Sequence, residues 1–308
     1  MNNRLQILAT VAFFGIAIAA FSGWSVYRAD LKSIEAEFRH DVEARARALE
    51  RELALGTEVI HGVRGLFDAS DDVRLDEFRL TASAILQRHP DIIALEWVPR
   101  IAAAQRFDFE QQGRALYGDF ELTQLGEDGL RELAGQRDHY YPVLFVEPMA
   151  ANMATRGVDI GSDPLRLQAI ERTRDRNQPT ATQAISLLQR SHHDRGILIM
   201  LPVYNGVPVS RESRRANLQG LVVGVFGLEA LFGEAIEGLD TGLVTLRLLD
   251  GARDNVELYR TSSAPQGWGI THRVMLKTFE QQQWLLEGSV GGAYFTARRS
   301  LLPWMVFG

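Results

Sequence analysis

Three textures of apolar and polar residues follow one another along the chain. From Leu5 to Tyr27 the stretch LQILATVAFFGIAIAAFSGWSVY carries no charge, and Arg4 and Arg28 stand at its borders. Its 23 residues, at about 1.5 Å each, are enough for a hydrocarbon layer of about 30 Å. The pattern predicts a transmembrane helix, with Trp24 and Tyr27 where amphipathic rings settle at the membrane boundary. A cleaved signal peptide is the alternative, since Ala17 to Ala20 supply small residues, but leader cores run only about 7 to 15 residues. From Asp30 to Phe67 apolar residues recur at Leu31, Ile34, Phe38, Val42, Ala46, Leu49, Leu53, Ile60, Val63 and Phe67, mostly in steps of three and four, with no proline between. That spacing predicts one long amphipathic helix of about 60 Å continuing out of the membrane. A stripe so narrow suits a partner helix in a dimer over the first turns. The small Gly56, Gly62 and Gly65 let the later turns rest on the chain's own globular part. A second helix is expected in DDVRLDEFRLTASAILQRHP, with Asp71 or Asp72 as cap and Pro90 as terminator.

After Pro90 the pattern changes to short β-type runs: IIALEWVPRI, YYPVLFVEP, TATQAISLL, GILIMLPVY, LQGLVVGVFGL, GLVTLRLLD, VELYRT, GITHRVML and QWLLEGSV. Helical segments are expected near 103–116, 164–176 and 228–238. Most strands are separated by turns too short for a crossover, so the prediction is mixed α+β with mainly antiparallel sheets. A boundary is expected at LEALFGEAIEGLDTG, after which a smaller set of strands forms its own sheet.

Composition narrows the partners. The chain has 308 residues, 46% of them apolar and 23% charged, with a net charge of −6. That suffices for a packed core and argues against a nucleic-acid partner, which needs a basic surface. There is no cysteine, which excludes thiolate metal sites, catalytic thiols and disulfides. A count of basic residues around the apolar segment, Arg4 before it and Arg28, Lys32 and Arg39 after it, would put the downstream side in the cytoplasm. The C-terminal RRSLLPWMVFG weighs the other way: its uncharged run reads as the opening of a second, truncated membrane helix, which makes everything between a loop held at both ends by the membrane. An ordinary C-terminal strand is the alternative.

Candidate chemistry is sparse. In GVDIGSDPLR, Asp163 stands before Pro164 and is expected to cap a helix, with proline at the first helical position. Asp159, ahead of the Gly161 turn, either caps its loop or points into a cavity as an acceptor. DIGSD lacks the alternating ligands of a calcium loop, and His192 and His193 in HHD are adjacent on an extended chain, so they point opposite ways. No metal or cofactor is expected. No nucleophile elbow, zinc-protease motif or phosphate loop is present, so no catalytic residue is assigned and the segment is not expected to be an enzyme.

The runs ALEWVPRIAAAQRFDFE, YYPVLFVEPMAANMATRGVDIGSDPLRLQAIERTRDRNQPTATQAISLLQ, GILIMLPVY and LQGLVVGVFGLEAL, in this order over about residues 90–235, resemble the CHASE domain, an extracytoplasmic sensor module of histidine kinases and nucleotide cyclases. The resemblance implies a long N-terminal helix followed by two PAS-like antiparallel-sheet halves, with a small molecule in the membrane-distal half. Carried over by position, the family's ligand-contacting aspartate falls on Asp159 and a threonine-bearing strand on Ala181 and Thr182. Further pocket positions fall on Ser191, Leu201, Leu221 and Gly224. A carboxylate among aliphatic walls suits a flat heterocycle with N–H donors. Leu201 and Leu221 stand where the plant cytokinin receptors of that family carry aromatic residues, which leaves the ligand class open.

The expected organisation is a transmembrane helix over 1–28, a helical stalk over 29–89, a membrane-distal core over 90–238, a membrane-proximal half over 239–297, and the start of a second membrane helix over 298–308. The function expected is ligand sensing outside the inner membrane, in a homodimeric receptor whose kinase or cyclase output lies beyond the chain. The alternative is a ligand-independent dimerisation or protein-interaction module at the membrane.

Overall fold

The computed structural model describes residues 2–299 except 71, 127–128, 188–194, 239–241, 252–253, 262–267 and 280–282, and leaves out the side chains of 2–5 and 234–235. Ser191, His192, His193 and the run from 300 to 308 therefore lie outside the described residues. Two helices open the chain, α1 (Asn2–Asp68) and α2 (Leu75–Leu86). Next come β1 (Ile92–Pro99), β2 (Ile101–Ala102), α3 (Arg106–Tyr117), β3 (Thr123–Leu125), β4 (Arg131–Leu133), β5 (His139–Tyr140) and β6 (Phe145–Glu147). Then follow α4 (Met149–Asn152), α5 (Pro164–Arg176), β7 (Thr180–Ala181), β8 (Ile185–Ser186), β9 (Arg195–Tyr204), α6 (Arg211–Asn217), β10 (Leu218–Gly227) and α7 (Leu228–Ile236). The last elements are β11 (Val244–Asp250), β12 (Val256–Arg260), β13 (Gly269–Met275), β14 (Trp284–Gly291) and α8 (Gly292–Arg298).

The chain forms two compact units: one of residues 48–235 with 277–282, the other of 1–47, 236–276 and 283–308. In the larger unit the strand order is β6-β1-β10-β9-β7, with β8 also paired to β9, and every pairing is antiparallel. In the smaller unit the order is β12-β11-β14-β13, again all antiparallel. The architecture is thus α+β, a long N-terminal helix followed by two antiparallel-sheet units.

α1 is helical from Asn2 to Asp68 because nothing in it breaks a helix and its exposed face is laced by i,i+4 pairs such as Arg45 with Asp41 at 3.4 Å and Arg64 with Asp68 at 3.1 Å. Its apolar stripe is consumed within the chain. Ile34, Phe38, Val42, Ala46, Leu49, Leu53, Ile60, Val63 and Phe67 are all buried. In the smaller unit Phe38 meets Tyr294 edge-on with centroids 5.8 Å apart, and a Cβ on Gly288 would stand 2.4 Å from Val42. In the larger unit Phe67 stacks on Trp97 at 4.0 Å. The stripe that suggested a dimer in sequence is the face α1 turns to its own sheets; beyond Tyr27, Leu55 is its one strongly exposed large apolar residue among those described.

Ahead of Arg28 the same helix contains a stretch long and apolar enough to cross a membrane, and it is almost wholly unburied. Arg28 lies over the Trp24 ring at 4.7 Å, and Arg299 donates to the Tyr27 hydroxyl at 2.9 Å.

α2 departs from expectation at its start. The helix begins at Leu75, and its first backbone donor outside, Arg74 N–H, is accepted by Glu77 at 3.0 Å. The acid that stabilises this end reaches back from inside the helix. By contrast α5 starts where the sequence places it, because Asp163 accepts from the N–H groups of Leu165 at 2.8 Å and Arg166 at 3.0 Å while Pro164 takes the first position.

Candidate functional site

β1 is buried on both sides, so its alternation decides what each residue faces. Leu95 and Trp97 turn toward α1; Ala94, Glu96 and Val98 turn to the opposite face. Register places Val146, Glu96, Val223, Met200 and Thr180 side by side across five strands. Glu96 is therefore an acid in the middle of an otherwise aliphatic sheet face, only 3% exposed. Taking a carboxylate out of water there disfavours its charge, and burial pushes Glu96 up to about 7 while Arg166 pulls it back.

Arg166 reaches the same space from the first turn of α5, which packs on β9. It is 6% exposed, and its Nε lacks a hydrogen-bond partner. Burial lowers the Arg166 guanidinium, with Asp163 and Glu96 opposing.

Between the two charges lies a hollow of about 20 Å³, walled by Val143, Val158, Ile160 and Leu198, with Thr155 at its polar edge and the exposed Ser186 at its rim. A space of that size holds a water or a very small guest, since about 10–15 Å³ is the least a water needs. Thr155 is already engaged, its hydroxyl donating to the Asn152 carbonyl at 2.9 Å.

Asp159 stands behind one wall of the hollow. It is fully buried, and one carboxylate oxygen accepts from Tyr141 N–H at 2.8 Å and Gly161 N–H at 3.0 Å. The other accepts from Arg137 at 3.4 Å. Burial raises its pKa, opposed by the Tyr141 N–H, Arg137 and the Gly161 N–H. In this arrangement Asp159 fixes the turn that presents Val158 and Ile160. Gly161 is needed there because a Cβ would approach the Tyr141 ring to 2.6 Å.

The other residues singled out from sequence divide between the two faces of the sheet. Ala181, Leu201 and Gly224 are on the α1 face: Ala181 pairs Ile199, which pairs Gly224, and a Cβ on Gly224 would stand 2.9 Å from Ile60. Leu221 is on the face of the hollow, in the same cluster as Val223 and Leu198. Thr182 accepts from Leu198 N–H at 3.0 Å and returns its own N–H to the Leu198 carbonyl at 2.8 Å, which anchors one wall.

Glu96 and Arg166 escaped the sequence reading, although a signal exists. In IIALEWVP the acid interrupts an apolar run at an inward position, and Arg166 sits on the inward side of a helix whose other inward residues are Ala169, Ile170 and Thr173. Among the described residues no group of three or more His, Asp or Glu side chains is placed to hold a metal ion.

Comparison with known proteins bears on what such a site belongs to. The CHASE domain model matches residues 71–259. The hybrid signal transduction histidine kinase A of Dictyostelium discoideum is 25% identical over 114 residues, 36% of this chain but only 5% of the kinase. Among solved structures, the ligand-binding domain of the Pseudomonas fluorescens chemoreceptor CtaA, in complex with L-isoleucine, is similar at a TM-score of 0.53 and 11% identity, covering 88% of this chain and 98% of that one. An extracellular ligand binding receptor from Desulfohalobium retbaense is similar at a TM-score of 0.50 and 13% identity, covering 83% of this chain and 40% of that one. At these identities the structural likeness is one of fold. The matches are to sensor and ligand-binding domains rather than to catalytic ones.

Proposed function

The chain belongs to the CHASE-domain family, and on that premise we propose that it is the ligand-sensing input module of a membrane receptor, with the hollow between Glu96 and Arg166 as its binding site. The observation that carries this reading is that pair: two ionisable side chains withdrawn from water on an aliphatic sheet face, one of them with an unpartnered N–H. Buried charges that packing alone does not require are concentrated at functional sites. Thr182 and Leu221 support the sheet side of the site and Asp159 positions its loop side.

The module is placed outside the inner membrane, in the periplasm or extracellular space, and α1 anchors it through the apolar segment ahead of Arg28. Arg299 donates to the Tyr27 hydroxyl, which holds the residue after α8 beside the end of that apolar segment. Binding alters the output, a kinase or cyclase on the far side, only insofar as the ligand prefers one arrangement of the module over another.

Thermal-shift screening of the full chain in detergent against a broad panel of small metabolites tests the reading. At least one compound should raise Tm saturably, and Leu198→Phe, which fills the hollow, should abolish that response while retaining a native circular dichroism spectrum. If no compound shifts the wild type, or if the filled variant still responds, the reading fails. The modest volume of the hollow favours the second reading, a protein-interaction module that senses no small molecule; it predicts the empty screen.

A further inference from the structure

In the larger unit α5 and α6 pack against each other, and their facing sides are rich in arginine. On α5, Gln168, Glu171, Arg172 and Asp175 follow the i, i+3, i+4, i+7 spacing that puts them on one helix face. On α6, Arg211 and Arg215 stand one turn apart, a like-charge spacing that is unfavourable without a counter-charge. Asp175 supplies one. Its carboxylate accepts from Arg174 Nε at 2.8 Å, from Arg211 Nε at 2.9 Å, and from Arg215 through Nε at 2.9 Å and Nη2 at 2.6 Å. Arg214 donates to the Asp175 carbonyl at 2.8 Å. The bonds from Arg215 first, then those from Arg174 and Arg211, hold the Asp175 carboxyl well below the ordinary carboxylate range against the opposing effect of burial, so it stays charged at neutral pH.

The acids do not neutralise this cluster. Five arginines, Arg172, Arg174, Arg211, Arg214 and Arg215, stand with three carboxylates, Glu171, Asp175 and Glu212, which leaves two positive charges in surplus on a chain whose net charge is −6. Among the described residues Arg172 makes no ion pair, and the Nη1 groups of Arg211 and Arg215 make no hydrogen bond. These three side chains border a hollow of about 410 Å³ between the helices. Arg176 lines it as well, with an interaction of its own, and is not counted. Asp175 thus braces two guanidinium forks and leaves donors on each to spare, and such forks pair with the oxygens of a phosphate. A phosphate group carries about −1.5 to −2 at pH 7, which matches the surplus. We propose that the hollow between α5 and α6 is a second binding site, for a dianionic phosphate group held by Arg172, Arg211 and Arg215. Its volume takes the phosphate together with a substituent, so free phosphate and a phosphomonoester share the chemistry it recognises. The site lies on the last turns of α5, whereas Arg166 lies on the first, and it does not depend on the sensor reading.

The test uses the full chain in detergent at fixed ionic strength, with inorganic phosphate, glycerol 3-phosphate, dimethyl phosphate and acetate as probes read by thermal shift and calorimetry. At pH 7.5 at least one of the first two should bind saturably, and the two monoanions should not. Binding should strengthen from about pH 5.5 to 7.5, because the phosphate group loses its second proton near pH 6 while arginine does not titrate. Arg172→Gln, which leaves every bond to Asp175 in place, and Arg211→Gln should each weaken binding about three- to tenfold. Arg88→Gln, at an exposed arginine that bonds the Ala84 carbonyl, should change nothing.

Tighter binding of glycerol 3-phosphate than of phosphate identifies a monoester as the guest, and the reverse order identifies the free ion; either upholds the site. A wild type that binds neither dianion, a monoanion that binds as well as they do, or binding in Arg172→Gln and Arg211→Gln equal to that of Arg88→Gln overturns the assignment.

Discussion

Glu96 sets the pH behaviour expected at the scale of a single residue. Its folded value, about 7, lies above the ordinary 4.5, so the folded state binds its proton more tightly than the unfolded chain. Stability from this group is fully present below the lower value and is lost as pH rises through the higher one, by about 3 kcal/mol in all. Denaturant unfolding from pH 4.5 to 7.5 should therefore fall more steeply for the wild type than for Glu96→Gln; equal slopes would mean that Glu96 is not buried as described. Asp159 makes a different prediction, because its carboxylate satisfies two buried N–H groups. Asp159→Ala leaves both without an acceptor and should cost about 2–4 kcal/mol, while Asp159→Asn, which keeps an oxygen there, should cost clearly less. Chemical denaturation that ranks the two variants the other way would remove the capping role.

At the scale of elements, α1 carries a stretch long and apolar enough to cross a membrane, and its later turns supply apolar residues buried within each unit. Phe38 is fully buried, so Phe38→Ala should destabilise the smaller unit by about 3–5 kcal/mol. Because the stripe is occupied within the chain, this loss should not depend on protein concentration, and sedimentation should give the same mass for variant and wild type. A change in mass would show that the stripe serves a second copy as well. Any partner helix would have to use other faces of α1, where charged i,i+4 pairs are the rule.

The sequence anticipated α1's long helical run and the start of α5, because a 3.6-residue period and an Asp-Pro cap are local signals. It misplaced the start of α2 because Glu77 competes for the same task from inside the helix. It could not say whether α1's stripe met a partner or its own sheets, since both need the same apolar face.

For the whole molecule, the proposed topology puts residues 29–299 on one side of the membrane. Protease added to intact spheroplasts should cleave in the exposed segment around Val207 and Val209, which are 92% and 90% exposed. Protection of that segment until the membrane is lysed would place the module in the cytoplasm and overturn the sensor topology. The two sheets also differ in kind. The larger is buried on both faces along β1, β9 and β10, whereas the smaller exposes alternate residues along β13, so an internal hollow exists in the first.

By itself the sequence determined the longer helices and strands and the family, because apolar periodicity, turn chemistry and the order of the motifs are properties of neighbours along the chain. It also determined that no thiol chemistry is available, which composition settles. What only the tertiary structure decided is which side chains share a space. Strand register carried Glu96 into a row with Val146, Val223, Met200 and Thr180, and helix packing brought Arg166 to the same hollow, although the two are 70 residues apart. Asp159, the residue most conspicuous in the sequence, became a support because three nearby donors reach its oxygens first. Such pairings are set by burial and geometry across distant segments, and a one-dimensional pattern carries neither.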